Sequence, residues 1–379
     1  MIRNCTNCAG KIRYNIEKEA LVCDSCSSIF KVGDHESTDF QHYDCNEYTC
    51  NACGSKIIIN ETEASTFCIY CGSANVVFNR VSSENAPKAI APFKITRKQA
   101  LTSLTEAISK CTWVPKEFQN LKDTQLTAVY VPYYQADVEY DGSAVTGDLN
   151  VLSGFGRLNV IHDASTKLND DTMTHLEPFD LTCLKPFDPD YLLGFHSNIP
   201  DLSPEVAVFR AKEKALKKAN SIYKEKCQQQ GYKQINPDYG RRDVTEVYDE
   251  PSVILLPVWF LTINYNNEPY TFLVNGQTGK LTGSIPTDGK KVRLTRNLLA
   301  LPLLIASLAI AFSVTFGIYH AYDLREALIF FFSEVVISAF FIGVLAIASH
   351  VSKSEFTASE VEANDRLLSI FANRRQKGE

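Results

Sequence analysis

The sequence predicts an α+β protein: tandem zinc ribbons, a duplicated α-β-β middle domain with a mostly antiparallel sheet, and a C-terminal two-helix transmembrane hairpin. Three observations carry this reading. Two sets of paired CxxC motifs stand 45 residues apart near the N-terminus. A helix, strand, turn, strand order recurs in the middle, with Pro132 and Tyr140 matched by Pro257 and Tyr265 at an offset of 125. Two long apolar runs lie beyond residue 297.

Residues 1–30 read as ribbon one, with Cys5, Cys8, Cys23 and Cys26; residues 48–80 read as ribbon two, with Cys50, Cys53, Cys68 and Cys71. Within each set 14 residues separate the two pairs, and Lys11-Ile12 maps onto Lys56-Ile57 at the same offset as the cysteines. CxxC, a spacer and CxxC again is the spacing of a four-thiolate zinc site. Zinc accepts four soft thiolates tetrahedrally, and four thiolates leave no position for water or substrate. Two structural zinc ions are therefore expected; disulfides, a redox CxxC and rubredoxin-like iron are the alternatives. Glycine follows the distal cysteines of ribbon two (Gly54, Gly72), where Ala9 and Ser27 stand in ribbon one. Glycine eases a tight turn, so ribbon one is expected to hold its metal less well. Residues 31–47 form an acidic connector in which Cys45 is a candidate spare ligand; Cys111, Cys183 and Cys227 read as ordinary thiols.

Ser82 to Lys88 reads as a polar linker, and residues 89–286 as the duplicated domain. Thr96 with Gln99 predicts a capping box at the start of a helix that presents Leu101, Leu104, Ile108 and Cys111 on one face. Thr127 to Tyr140 reads as a strand, turning at Asp141-Gly142. Ser203-Pro204-Glu205 opens a second helix, with the serine as cap and proline at the first helical position. Val253 to Tyr265 and Tyr270 to Val274 are the second pair of strands. Proline cannot donate to a ladder, so Pro132 and Pro257 are expected at a strand start, an edge or a bulge. Asn275 to Lys280 approaches a phosphate loop, but only two residues separate its Gly276 from Gly279-Lys280 where four are required; a hairpin turn between Val274 and Leu281 fits better.

Leu298 to Tyr319 carries no charge, and Ala327 to Ser349 carries only Glu334. Each is long enough to cross a bilayer, which takes about 20 helical residues, so residues 297–350 read as a transmembrane hairpin. Lysines and arginines flank its two ends, and the joining loop has one arginine. The positive-inside rule then puts both termini in the cytosol of a bacterial cytoplasmic membrane protein with two spans. Glu334 reads as a helix–helix or snorkelling contact, and residues 351–379 as a cytosolic tail.

The 379 residues carry 12 cysteines and a net charge of −6. Residues 1–80 hold seven Lys/Arg against ten Asp/Glu, whereas phosphate binding needs a basic stripe; nucleic acid is not the expected partner. His162-Asp163 and His196 fall in loop-like stretches, and no nucleophile motif or paired carboxylates join them, so the chain is not expected to be an enzyme. A membrane-anchored zinc-ribbon scaffold that recruits cytosolic proteins fits best. The runner-up is a membrane-tethered zinc-ribbon protein that binds nucleic acid.

The CxxC pairs, Tyr130-Val131-Pro132-Tyr133-Tyr134, Leu256-Pro257-Val258-Trp259-Phe260 and Val274-Asn275-Gly276-Gln277-Thr278-Gly279-Lys280 resemble a bacterial family of TFIIB-type zinc ribbon-containing proteins, some labelled primosomal or helicase proteins. The resemblance covers about residues 48–286. It implies an adaptor role in envelope stress beside phage-shock protein A-like or SPFH-like proteins.

Overall fold

The computed structural model describes residues 3–286, apart from 35–40, 60–67, 69, 72, 74–75, 112–113, 122–125, 146–150, 167–169, 230–241, 248–249, 267 and 284. Beyond these it describes 294, 298, 305, 309, 312, 313, 316 and 320. Fifteen strands and four α-helices are present among them. The α+β assignment is thereby corrected: the protein is mainly β, and one mixed sheet of twelve strands holds most of it.

Two long strands organise that sheet, β8 (Leu126–Val145) and β13 (Ser252–Tyr265). They run antiparallel, and Val131 faces Leu256, a residue 125 positions later. The pairing is thus self-related: Tyr130 faces Pro257 as Pro132 faces Leu255. Each long strand is flanked on its other edge by two shorter ones in succession. Beside β8 lie β11 (His196–Asn198), parallel at Val129 and Tyr130, and then β9 (Val151–Asp163), antiparallel from Tyr133 on. Beside β13 lie β7 (Ala89–Ile90), parallel at Ile254 and Leu255, and then β14 (Glu268–Asn275), antiparallel from Val258 on. These two parallel pairs make the sheet mixed, while its other pairings are antiparallel.

This arrangement corrects the reading of the prolines. Pro132 and Pro257 lie in the interior of the two central strands, each at the gap between successive flanking strands. In a strand the N–H and C=O of one residue point to the same side. Pro132 accepts from Ala164 N–H (3.0 Å) and Pro257 from Gly276 N–H (2.8 Å). Their missing donors therefore face the breaks, where no ladder bond is lost.

One sheet face is covered by α1 (Arg97–Lys110) and α4 (Pro204–Gln229). The capping box of α1 is formed, with Gln99 N–H donating to Thr96 Oγ1 and Thr96 N–H to Gln99 Oε1. It buries Ala100, Leu104 and Ile108 in a core with Tyr130, Trp259 and Phe272. On α4, Ala207, Ala211, Ala215 and Ala219 are buried at fourfold spacing; their small size brings the helix close to Ala136, Val138, Leu158 and Val160. The opposite face, with Val129, Val131, Tyr133, Leu256 and Val258, is covered by α3 (Asp170–Leu176) and Phe179. The expected hairpin turn between Val274 and Leu281 is formed: Val274 pairs with Leu281 of β15 (Leu281–Gly283). Asn275 Oδ1 there accepts from Gln277 and Thr278 N–H, and Gly279 takes φ +76°.

The ribbons are welded to this body. Ribbon two comprises β4 (His42–Cys50), β5 (Lys56–Ile59) and β6 (Val76–Asn85); β4 begins inside the expected connector and β6 runs through most of the expected linker. Its β5 pairs with β11, which makes the ribbon the end of the twelve-stranded sheet. Ribbon one, β1 (Ile12–Asn15), β2 (Ala20–Cys23) and β3 (Ile29–Phe30), is a separate three-stranded sheet. It docks through Tyr14 N–H to Leu193 O (3.0 Å), Tyr14 against Tyr191, and Arg3 to the buried Asp190 (2.5 Å).

The expected transmembrane hairpin is corrected as well. Among the described residues no helix is long and apolar enough to cross a membrane. Of the two apolar runs only 298, 305, 309, 312, 313 and 316 are described, each in helical conformation. Glu334 and the tail 351–379 lie outside the described residues. The two-span location with both termini cytosolic falls with the hairpin.

Two tests follow from these contacts. Arg3→Met removes the cation from the Asp190 carboxylate, which is 1% exposed and keeps Gly33 N–H as a donor; it should cost about 3 kcal/mol and raise amide exchange in β1 and β2. Arg3→Met with Asp190→Leu should recover most of that loss. His196 is buried, one ring nitrogen donates to the Ala128 carbonyl, and burial pushes its pKa down to about 4. Its neutral form is favoured only in the folded state, so its contribution is intact above about pH 6.5. It is lost as pH falls toward 4, by up to about 3 kcal/mol. Urea midpoints of wild type and His196→Gln should converge over that window; parallel curves would refute the assignment.

Candidate metal centres

Each CxxC pair forms the same local turn. Cys5, Cys23, Cys50 and Cys68 N–H donate to the carbonyls of Gly10, Ser28, Ser55 and Ser73 (2.7–3.0 Å). Ala9, Ser27 and Gly54 N–H in turn donate back to the carbonyls of Cys5, Cys23 and Cys50. The fourth residue after the first cysteine therefore sits in the left-handed region, with φ +59° at Ala9, +59° at Ser27 and +69° at Gly54. For Ala9 and Ser27 this conformation is uncommon and disfavoured. Ribbon one thus carries strain that Gly54 avoids.

The turns bring all eight predicted cysteines into two tetrads, and in each the four sulfurs lie within 4.8 Å of one another. Sulfur separations are 3.6 Å (Cys5–Cys26) and 3.5 Å (Cys8–Cys23) in the first, and 3.7 Å (Cys50–Cys71 and Cys53–Cys68) in the second. A disulfide would need about 2.05 Å, so these are not bridges. A tetrahedron with metal–sulfur bonds of about 2.3 Å has edges of about 3.8 Å. Both groups are compatible with one metal ion each, held entirely by protein sulfur.

The surroundings differ between the two. In the first tetrad Cys5 and Cys23 are buried while Cys8 and Cys26 are exposed. In the second, Cys50 and Cys68 are buried and Cys53 and Cys71 half-buried; Cys50, Cys68 and Tyr70 belong to the core under the central sheet, Tyr70 edge-on to Phe260. Two serines invisible to the CxxC count join the sites. Ser28 Oγ lies 3.1 Å from Cys26 Sγ, and Ser55 Oγ 3.0 Å from Cys53 Sγ. Hydrogen bonds from Ser28, from its hydroxyl first and then its N–H, hold the Cys26 thiol down to about 6. The available signal was a Cys-Xaa-Ser that follows three of the four turns, at Ser28, Ser55 and Ser73.

Glu47, on β4 three residues before Cys50, is fully buried. Burial opposes its charge, but Asn79 (2.8 Å), Lys56 (3.4 Å) and Arg80 (3.3 Å) outweigh it and hold the carboxyl below its usual range. The Asn79 contact sits at a bulge in β6 opposite Glu47 and Tyr48.

Other candidate residues fall elsewhere. Cys45 is buried apart from both tetrads, and burial pushes its thiol up to about 12. His162 and His196 are in strands β9 and β11 rather than loops, and both are buried. His162 places its two ring nitrogens 3.0 and 2.9 Å from the carbonyls of Asp163 and Ala207, as a packing residue between β9 and α4.

The chain is similar to the uncharacterized protein YdjG of Bacillus subtilis, at 26% identity over 316 residues, covering 76% of this chain and 91% of that protein. No protein-family model matches the chain, and no solved structure matches it.

Elemental analysis of reduced protein should give two metal ions per chain. Under a chelator the exposed, strained first site should empty before the second. Cys50→Ser should lower the melting temperature more than Cys8→Ser, because Cys50 is fully buried in the core. Simultaneous loss of both ions, or equal melting shifts, would contradict the asymmetry.

Proposed function

We propose that this protein is a zinc-stapled docking scaffold, a non-catalytic adaptor that recruits other proteins through its second ribbon. Zinc is the metal assigned to both tetrads, since four thiolates at tetrahedral spacing suit it and the site needs no redox chemistry. A coordination shell filled by sulfur has no place for substrate, which supports a structural ion.

The observation that carries the reading is β6. It is the terminal strand of the sheet, paired only with β4 among the described residues. On it Val77, Phe78 and Val81 are exposed by 51%, 51% and 64%. An exposed apolar edge strand is a template for another chain, and proteins that do not use such an edge cover it or charge it. Metal and the Glu47 cluster rigidify the ribbon that presents it, so the edge is preorganised for binding. The resemblance to TFIIB-type zinc ribbon proteins makes phage-shock protein A-like and SPFH-like proteins the first partners to try.

The test compares wild type with Phe78→Lys/Val81→Lys, after metal content and circular dichroism show that both fold. Crosslinking followed by pull-down should recover a defined protein with wild type and lose at least ten-fold of it with the variant. Recovery of nucleic acid in place of protein, or equal recovery by both forms, overturns the proposal.

A further inference from the structure

The two halves of the central sheet differ at one outer edge. Asn275 faces Val258 as Asp163 faces Tyr133, so Phe272, Leu273 and Val274 of β14 correspond to Val160, Ile161 and His162 of β9. On β14 those three residues carry a further strand, β15, which pairs with them antiparallel. On β9 no strand is paired at this edge among the described residues. A cavity of about 550 Å³ lies there instead, lined by Asn159 to Asp163, by α3 and the segment after it, and by α4. That volume is in the range of ligand sites, about 300–1,000 Å³.

The two walls differ in chemistry. One side offers Ile161, Met173 and Phe179, all buried and apolar. The other is a face of α4 that is net basic, with Arg210, Lys214, Lys217 and Lys218 against Glu213. The buried alanines of α4 seat it against β8 and β9, which sets these longer side chains over the strand edge. Lys218 Nζ already reaches a backbone acceptor on that edge, Asn159 O at 3.3 Å. Lys214 spans the edge to Glu177, on the far side of the cavity. A carboxylate of the protein itself thus pairs with Lys214 across the edge.

We propose that the edge of β9 at Val160–His162 binds an extended acidic peptide segment of a partner protein, which adds to the sheet where β15 adds in the other half. Successive side chains of a strand point to opposite faces. Acidic residues of the incoming segment meet the α4 cations, and the apolar residues between them rest on Met173 and Phe179. Backbone hydrogen bonds to β9 supply affinity, and the two walls supply specificity. Entry displaces Glu177 from Lys214, so Glu177 competes with the ligand. This site is separate from β6, and its failure leaves the β6 proposal standing.

The test is fluorescence anisotropy of the metal-loaded full chain with a labelled peptide of alternating valine and glutamate. The expected result is saturable binding, weakened at least ten-fold by Lys214→Glu/Lys218→Glu and strengthened several-fold by Glu177→Gln. A valine–lysine peptide and an alternately N-methylated valine–glutamate peptide should both fail, and amide exchange at Ile161, whose N–H points away from β8, should slow in the complex. Absence of binding, equal binding by the charge-reversed variant, or equal binding of the N-methylated peptide overturns the proposal. Retained melting temperature in each variant separates lost binding from lost fold.

Discussion

The antiparallel union of β8 and β13 about Val131 and Leu256 is the constraint from which the rest of the structure follows. Each strand is longer than any single strand on its outer edge, so that edge takes two partners in turn. The first is always parallel and comes from the opposite half: β7, ahead of α1, lines β13, while β11, ahead of α4, lines β8. The halves are therefore interlocked and neither can close its sheet alone. Proline stands in each central strand at the only kind of place that tolerates it, opposite the break between partners.

That interlock also decides the status of the ribbons. A ribbon of about 30 residues buries too little apolar surface to be stable unaided, and a metal ion held by the four sulfurs would compensate for the missing core. Here the second ribbon adds a further support, because β5 extends the main sheet through β11 and two of its cysteines lie in the main core. The first ribbon relies on Tyr14, Arg3 and its docked face, and its exposed sulfurs sit on turns strained at Ala9 and Ser27. Two tetrads with the same ligand set thus differ in how tightly each is coupled to the fold.

Duplication supplies an internal control for function. Where the two halves agree, as in the long strands and their cross-paired partners, the residues serve the architecture. Where they diverge, something else is at work. His196 and Asn198 on β11 stand where Ala89 and Ala91 stand in the other half, and the edge of β9, paired with no strand among the described residues, stands where β14 bears β15. The divergence is concentrated in the half that joins the second ribbon, the same region that presents the exposed β6.

The residues by themselves determined the local features. Eight cysteines at two fixed spacings define both tetrads, Thr96 and Gln99 define a helix start, and Asn275 to Lys280 reads as a turn because two glycines cannot space a phosphate loop. Such features depend on neighbours within a few positions, or on a repeat that can be counted. Only the tertiary structure decided that His162 and His196 are buried strand residues, that Ser28 and Ser55 lie within hydrogen-bond reach of cysteine sulfurs, and that Pro132 and Pro257 are central rather than peripheral. It also turned a ribbon, a linker and a duplicated domain into one mixed sheet. A strand pairs by its backbone, which every residue shares, so the identity of its partners is not written in its own side chains.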